Sequence, residues 1–250
     1  MSSAPFAWTP PPYESTASKA RLVSQMGFVK RDYAGGVGRG DDLETALQNH
    51  RPQVLVDFTH PSAGLDNALA AVAAGAAPVV GTSGIPAEDI ERLERACAER
   101  GVGGIVAPNF AVGAVLMMWL AERAAPFFDA ADVIEMHHAA KADAPSGTAV
   151  ATARRMGVAR ERPFAYSRTE KVVLEGARGA ESEGVAVHSV RLPGVLAEQE
   201  VILGLPGQTL TIAHRTISRE CYAPGVLLAI RRVASGPGFF RGLEPLLGLA

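Results

Sequence analysis

From residue 53 onward the chain alternates short apolar runs with longer stretches of mixed apolar and polar positions. The runs at 54–58 (VLVDF), 79–81 (VVG) and 104–107 (GIVA) are the kind expected of strands buried on both faces. Between the first two lies an Ala-rich segment, with Ser62 placed to cap a helix and Gly75 to stop it. Residues 88–100 put Ile90, Leu93 and Cys97 on one helical face and pair Glu91 with Arg95 four residues apart on the surface; Gly101 ends that helix. Strand, helix, strand, helix, strand with short loops predicts a parallel α/β sheet.

The texture changes after residue 110. An apolar helix is expected to run to about Phe128, followed by a strand over 133–136 and a helix beginning near Ser146. Strands at 185–192, 200–205 and 209–213 then follow one another, the last two joined by Pro206, Gly207 and Gln208 in the manner of a hairpin. Consecutive strands without helices between them predict a second, largely antiparallel sheet. A last helix over 226–233, beyond Pro224, is placed to return to the first sheet. Upstream, the first 26 residues, with Pro5, Pro10, Pro11 and Pro12, read as loop, and Asp41 and Asp42 open a short helix over 43–49.

Composition narrows the function classes. With 24 Lys and Arg against 26 Asp and Glu, the net charge of −2 offers no basic field for nucleic acid. Two cysteines, Cys97 and Cys221, make no disulfide framework and suit a reducing cytoplasmic setting. The longest apolar stretch, 110–120, is shorter than the roughly 20 residues that span a bilayer, and no secretory signal is visible. A cytoplasmic globular protein is expected, without membrane or nucleic-acid partners.

In an open parallel sheet, ligands bind beyond the carboxyl ends of the strands. Three segments hold that position: Asp57, Phe58 and Thr59; Gly81, Thr82 and Ser83; and Ala107, Pro108, Asn109 and Phe110. They suit a nucleotide or nicotinamide amide, although such residues are also ordinary in strand-to-helix turns. The densest polar cluster is 135–148 (EMHHAAKADAPSGT), with His137, His138, Lys141 and Asp143 ahead of a Ser146-Gly147-Thr148 turn into a helix. That turn aims N–H groups and the positive helix end at an anion, and Lys141 adds a full charge. One of the two His can serve as a proton donor near neutrality. Adjacent strand residues face opposite sides, which gives the two His different tasks unless the strand has already ended. A surface loop with an incidental His pair is the competing reading, and the other His show no metal-ligand spacing, so no metal is expected.

The cluster running from His137 and His138 through Lys141 to Asp143, Pro145, Ser146, Gly147 and Thr148 resembles the signature of the 4-hydroxy-tetrahydrodipicolinate reductase (dihydrodipicolinate reductase) family. The likeness extends, in order, through 56–59 (VDFT), 80–84 (VGTSG), 108–110 (PNF), 189–194 (SVRLPG) and 207–212 (GQTLTI) with His214. The resemblance implies an α/β fold: a Rossmann-like parallel-sheet domain (residues 1–108 and 218–250), plus an α+β substrate and oligomerisation domain (109–217) that forms a homotetramer. It implies transfer of hydride from NADH or NADPH to a cyclic imine carrying two carboxylates, with loss of water, in lysine and diaminopimelate biosynthesis. His137 then corresponds to the proton donor, Lys141 to its cationic partner, and His138, Gly147 and Thr148 to substrate contacts. Gly81, Thr82, Ser83, Ala107, Pro108, Asn109 and Phe110 correspond to the nicotinamide site.

One departure stands out. Members of the family open with an apolar strand and a Gly-x-x-Gly-x-x-Gly turn for the pyrophosphate, and the first βα unit of that kind is missing here. The glycines at 35–40 follow a segment too polar for a buried strand and precede two aspartates, poor neighbours for a phosphate. Either the N-terminus as written departs from the true start of the gene, or the protein is a variant with a damaged cofactor half. The alternative function is therefore a non-catalytic or impaired relative that binds a dicarboxylate but no dinucleotide. Glu198 stands where related sequences often carry His, and no mechanism attaches to it.

Overall fold

The computed structural model describes residues 42–82, 84–166 and 169–249, together with the backbone of 22–24. Among these residues the strands form two five-stranded sheets. The first is wholly parallel, in the order β1 (Leu22–Ser24), β2 (Val54–Asp57), β3 (Ala77–Val80), β4 (Gly103–Val106), β10 (Gly238–Arg241). Every residue of β2, β3 and β4 is buried, as helix-covered parallel strands require.

The helices over this sheet are α1 (Leu43–His50), α2 (Pro61–Ala73), α3 (Ala87–Arg100) and α6 (Ala223–Ala234). The Asp42 carboxylate caps α1 by accepting the Thr45 N–H at 3.1 Å. Gly101, at φ +70°, ends α3 in the left-handed conformation expected of a C-terminal glycine. The cap of α2 is His60 and not Ser62: Pro61 suits the first helical position, which moves the cap back one residue. Leu22–Ser24, expected to be loop, pairs in register with 54–56 as an edge strand. A sheet edge asks only one side of the strand to bond, so a short segment suffices. The glycines at 35–40 lie outside the described residues.

The second sheet has the order β6 (Ala180–Ser182), β7 (Val185–Arg191), β5 (Ala130–His137), β8 (Ala197–Leu205), β9 (Gln208–Thr216). It is antiparallel except between β5 and β7, which run parallel because the chain crosses between them through α5 (Gly147–Val158). On its inner face Val133, Val187, Val201 and Leu203 pack against Ala149, Ala153 and Met156 of α5. The helix α4 (Val112–Ala124) joins the two sheets and packs on α5 and β9. It stops short of Phe128 because Pro126 turns the chain into the 3-10 turn Ala125–Phe127. The C-terminal segment returns to the first sheet: Ala229, Ile230 and Val233 of α6 share a core with Val79 and Ile105, and β10 pairs with β4. No described helix is long and apolar enough to cross a membrane.

Candidate active site

Two groups of residues stand out. The first lies at the carboxyl edge of the parallel sheet. Asp57, 3% exposed, accepts from the Thr59 N–H (3.0 Å), the Thr59 hydroxyl (2.9 Å), the Thr82 hydroxyl (2.9 Å) and the Asn67 amide (2.8 Å). One carboxylate thus ties the ends of β2 and β3 to α2. The Asn109 side chain accepts the Ala111 N–H at 2.9 Å and fixes the turn from β4 into α4. Phe110 is fully buried and meets Phe58 at 5.3 Å between ring centroids. A Cβ at Gly81 would lie 2.1 Å from the Phe58 ring, so this edge seats a planar ring directly on backbone. The Phe58 ring itself fills that place, so the space open to a planar ligand lies beside it and not on Gly81. A cavity of about 560 Å³ opens beside it, lined by Thr82, Pro108, Trp119, Arg123, Arg155 and Arg241. It does not reach the His137 cluster, so cavity size alone does not locate the chemistry.

The second group is built on β5 and the loop that follows it. Glu135 and His137 are two residues apart on one strand and therefore share a face, the inner one. Glu135 is fully buried. Its Oε2 lies 2.6 Å from His137 Nδ1 and accepts Arg191 Nη1 at 2.8 Å, while its Oε1 accepts Arg191 Nη2 at 2.7 Å and the Ser146 N–H at 3.1 Å. Burial alone would raise the Glu135 carboxyl, but hydrogen bonds from Arg191, Ser189 and His137 outweigh it and hold the group at about 2. His137 lies below its ordinary value: burial is the main cause, Glu135 opposes it, and the positive charges of Lys141 and Arg191 add to it.

Strand β5 ends at His137, so His138 stands in the turn, where its carbonyl accepts the Lys141 N–H at 3.1 Å. Lys141 Nζ donates to Asp143 at 2.6 Å, which lowers the Asp143 carboxyl. Arg191 donates to the Asp143 carbonyl at 2.8 Å and pins the loop from the other side. Ser146 then caps α5, its hydroxyl accepting the Ala149 N–H at 3.2 Å. With the third N–H of the helix satisfied, the Gly147 and Thr148 N–H groups have no acceptor among the described residues and are available to an anion. No cluster of three or more His, Cys, Asp or Glu among the described residues is placed to hold a metal ion.

The family description "Dihydrodipicolinate reductase, N-terminus" matches residues 14–110, and "Dihydrodipicolinate reductase, C-terminus" matches 113–247. The chain belongs to the dihydrodipicolinate reductase family. A 4-hydroxy-tetrahydrodipicolinate reductase of Moorella thermoacetica is 52% identical over 212 residues, covering 85% of this chain and 79% of its own length. One from Mycobacterium sp. (strain KMS) is 46% identical over 218 residues, covering 87% and 89%. Among solved structures, a dipicolinate-bound dihydrodipicolinate reductase from Paenisporosarcina sp. TG-14 superposes with a TM-score of 0.74 at 37% identity, covering 87% of this chain and 82% of that one. An amine dehydrogenase from Mycobacterium smegmatis, at TM-score 0.52 and 13% identity, shares the fold alone.

Matches to both halves of the dihydrodipicolinate reductase family do not favour a relative that has lost its dinucleotide half. The structure gathers His137, Lys141, Gly147 and Thr148 around one loop, with His138 in its turn. It sets Gly81, Thr82, Ala107, Pro108, Asn109 and Phe110 along the edge of the other sheet; Ser83 lies outside the described residues. Glu135 and Arg191 carried no role in the sequence reading. Their signal was a charged residue at an inward position of an apolar strand, two before His137. Its partner could not be named without the pairing of β5 and β7.

Proposed function

We propose that the chain reduces 4-hydroxy-tetrahydrodipicolinate to tetrahydrodipicolinate, with loss of water, using NADH or NADPH. The observation that carries this reading is the meeting of a half-buried, hydrogen-bonded His137 with the paired cation Lys141 and the N–H groups of Gly147 and Thr148 that are unfilled among the described residues. That combination suits a small dianion that must be protonated where it is held. Loss of the 4-hydroxyl with a neighbouring ring proton, as water, gives the unsaturated cyclic imine, to which the dinucleotide, when bound, would supply a hydride. The chain's own residues do the rest. Lys141 and the start of α5 hold the carboxylates, and His138 contacts the ring. Protonated His137 gives its Nε2 proton to carbon of the resulting enamine, whose electron pair becomes the new C–H bond, leaving the imidazole neutral. At the other sheet, Gly81, Thr82, Ser83 and the 107–110 turn, Ala107 to Phe110, would present backbone and polar groups to the nicotinamide, with Thr82 and Pro108 lining the cavity beside them.

In this reading residues 1–108 and 218–250 form the dinucleotide unit and 109–217 the substrate unit of a cytoplasmic enzyme. The packing of α6 and β10 on the parallel sheet supports that division. A homotetramer is supported by the outer face of the second sheet, where Ile134, Met136, Val190 and Ile202 lie outside the core clusters; sedimentation velocity tests it.

The deciding assay follows nicotinamide absorbance with the unaltered protein and each dinucleotide. Turnover is expected, and His137→Gln should lower it by roughly 10²–10⁴, the usual worth of a positioned acid. Absence of turnover with both dinucleotides refutes the reading. Unchanged turnover in His137→Gln removes that residue from the proton step.

A further inference from the structure

We propose that Glu135 is a positioning residue for the proton step, holding the His137 ring through Nδ1 and the start of α5 through the Ser146 N–H, with Arg191 as its fixed counter-cation. The proposal rests on the reading of His137 as proton donor.

The geometry leaves one arrangement of hydrogens. Glu135 has no exposed surface, and each of its oxygens meets two donors: His137 and Arg191 on Oε2, Arg191 and the Ser146 N–H on Oε1, with the Ser189 side chain also hydrogen-bonding the carboxyl. An ionised carboxylate has about four lone-pair sites and only accepts, so all of them are filled. His137 Nδ1 must therefore carry its hydrogen, and Nε2 is the nitrogen left to exchange a proton with a ligand. A neutral ring of this tautomer cannot donate from Nε2, so transfer is confined to the protonated state and to one direction of approach. The same carboxylate holds the peptide N–H of Ser146, the cap of α5. The acid and the anion-binding turn are thus both referenced to one buried group.

Arg191 sets how much of the Glu135 charge reaches His137. It takes one donor position on each oxygen and also bonds the Asp143 and Val190 carbonyls, at 2.8 and 2.7 Å. The charged groups facing His137 are Glu135 on its own strand, Arg191 on β7 and Lys141 on the following loop, itself paired with Asp143. Across β8 and β9 the residues in register are Ala197 and Thr216, both uncharged, and the start of α5 brings only Ser146, Gly147 and Thr148. Glu135 stabilises protonated His137, whereas Arg191 and Lys141 oppose it.

Two substitutions then move the proton equilibrium in opposite directions. Glu135→Gln removes the stabilising charge, so the alkaline limb of kcat/KM moves to lower pH. Arg191→Gln leaves the Glu135 charge undivided and removes a repulsive cation, so the limb moves to higher pH. Glu135→Gln should also lower kcat/KM by roughly 10-fold or more, without exceeding the loss in His137→Gln. The double variant Glu135→Gln/Arg191→Gln leaves no buried charge unpaired and guards against misfolding of either single one.

The experiment pairs pH-rate profiles with imidazole nitrogen NMR of the protein without ligands. Neutral His137 should show the Nδ1–H tautomer in the parent and gain the Nε2–H tautomer in Glu135→Gln and in the double variant. A tautomer unchanged in both variants overturns the proposal, as do limbs that move in the same direction. A parent protein without reductase activity refutes the functional reading instead, and the tautomer measurement still decides the role of Glu135.

Discussion

Lys141 is already engaged by a neighbour in the chain, and this fixes the sign of an otherwise unexpected effect. Its ammonium donates to Asp143 at 2.6 Å, but the Asp143 side chain is 59% exposed, so the pair belongs to the weak, solvated class worth about 0.2–1 kcal/mol. A dicarboxylate that recruits Lys141 must first displace Asp143. Asp143→Asn removes this competitor and should tighten binding of pyridine-2,6-dicarboxylate by roughly 1.4- to 5-fold, the same energy expressed as a ratio. Lys141→Ala removes a charged donor worth about 1.5–3 kcal/mol and should weaken binding by roughly 10- to 150-fold. In the Lys141→Ala background Asp143→Asn should bring less gain, because no ammonium is left to release. Calorimetric titration of the four proteins closes the cycle. Repeating it at about 1 M salt, where charges are screened within about 3 Å, should shrink the Asp143→Asn gain. Equal or weaker binding in Asp143→Asn refutes the competition, and so does an equal gain with and without Lys141.

Three further outcomes follow from other contacts. Gly225→Ala places a Cβ 2.1 Å from the Phe110 carbonyl oxygen, so α6 must back away from the turn after β4. A stability loss of about 1–3 kcal/mol by urea unfolding is expected, and an unchanged midpoint contradicts it. Glu135 is held at about 2 in the folded protein against an ordinary 4.5, so its contribution is complete above pH 4.5 and is lost as pH falls towards 2. Over that window the parent should lose on the order of 3 kcal/mol more than Glu135→Gln; parallel stability curves would exclude it. Arg155 donates to Glu122 of α4 at 2.7 Å and to Glu244 at 2.5 Å, joining α5 to the C-terminal 3-10 turn Glu244–Leu247. Arg155→Met should cost about 1–2 kcal/mol, between the exposed and buried limits for an ion pair, and Glu122→Gln made in that background should recover part of it.

Much of the layout was legible because its signals are local. The strands 54–57, 77–80 and 103–106 are apolar apart from Asp57 at the end of the first, and Gly101 marks its helix end by a conformation few other residues adopt. The donor cluster could be found because His137, Lys141, Ser146, Gly147 and Thr148 fall within a dozen residues. What escaped was set by pairing at a distance. The strand Leu22–Ser24 has a polar end and lies downstream of a Pro-rich stretch; only its partner β2 makes it a strand. Gly238–Arg241 is flanked by glycines and joins β4 from far along the chain. Arg191 reaches Glu135 across 56 residues, through a register that no local pattern encodes.

That register also explains why the substrate-side groups come together at all. Strand β5, the 138–146 loop, α5 and β7 form one crossover, in which the chain leaves β5 at His137 and returns parallel beside it. Leaving supplies the imidazole and the ammonium, entering the helix supplies the Ser146 cap with the free N–H groups of Gly147 and Thr148, and returning supplies Arg191 opposite His137. A fully buried carboxylate at Glu135 is costly on its own, and in this topology it is the point that all three passages of the chain can reach. Of its donors, His137 is the acid of the proposed mechanism and Ser146 the cap of the proposed anion-binding turn. In that mechanism the requirement to satisfy one buried charge and the requirement to aim an acid at a held anion are met by the same set of hydrogen bonds.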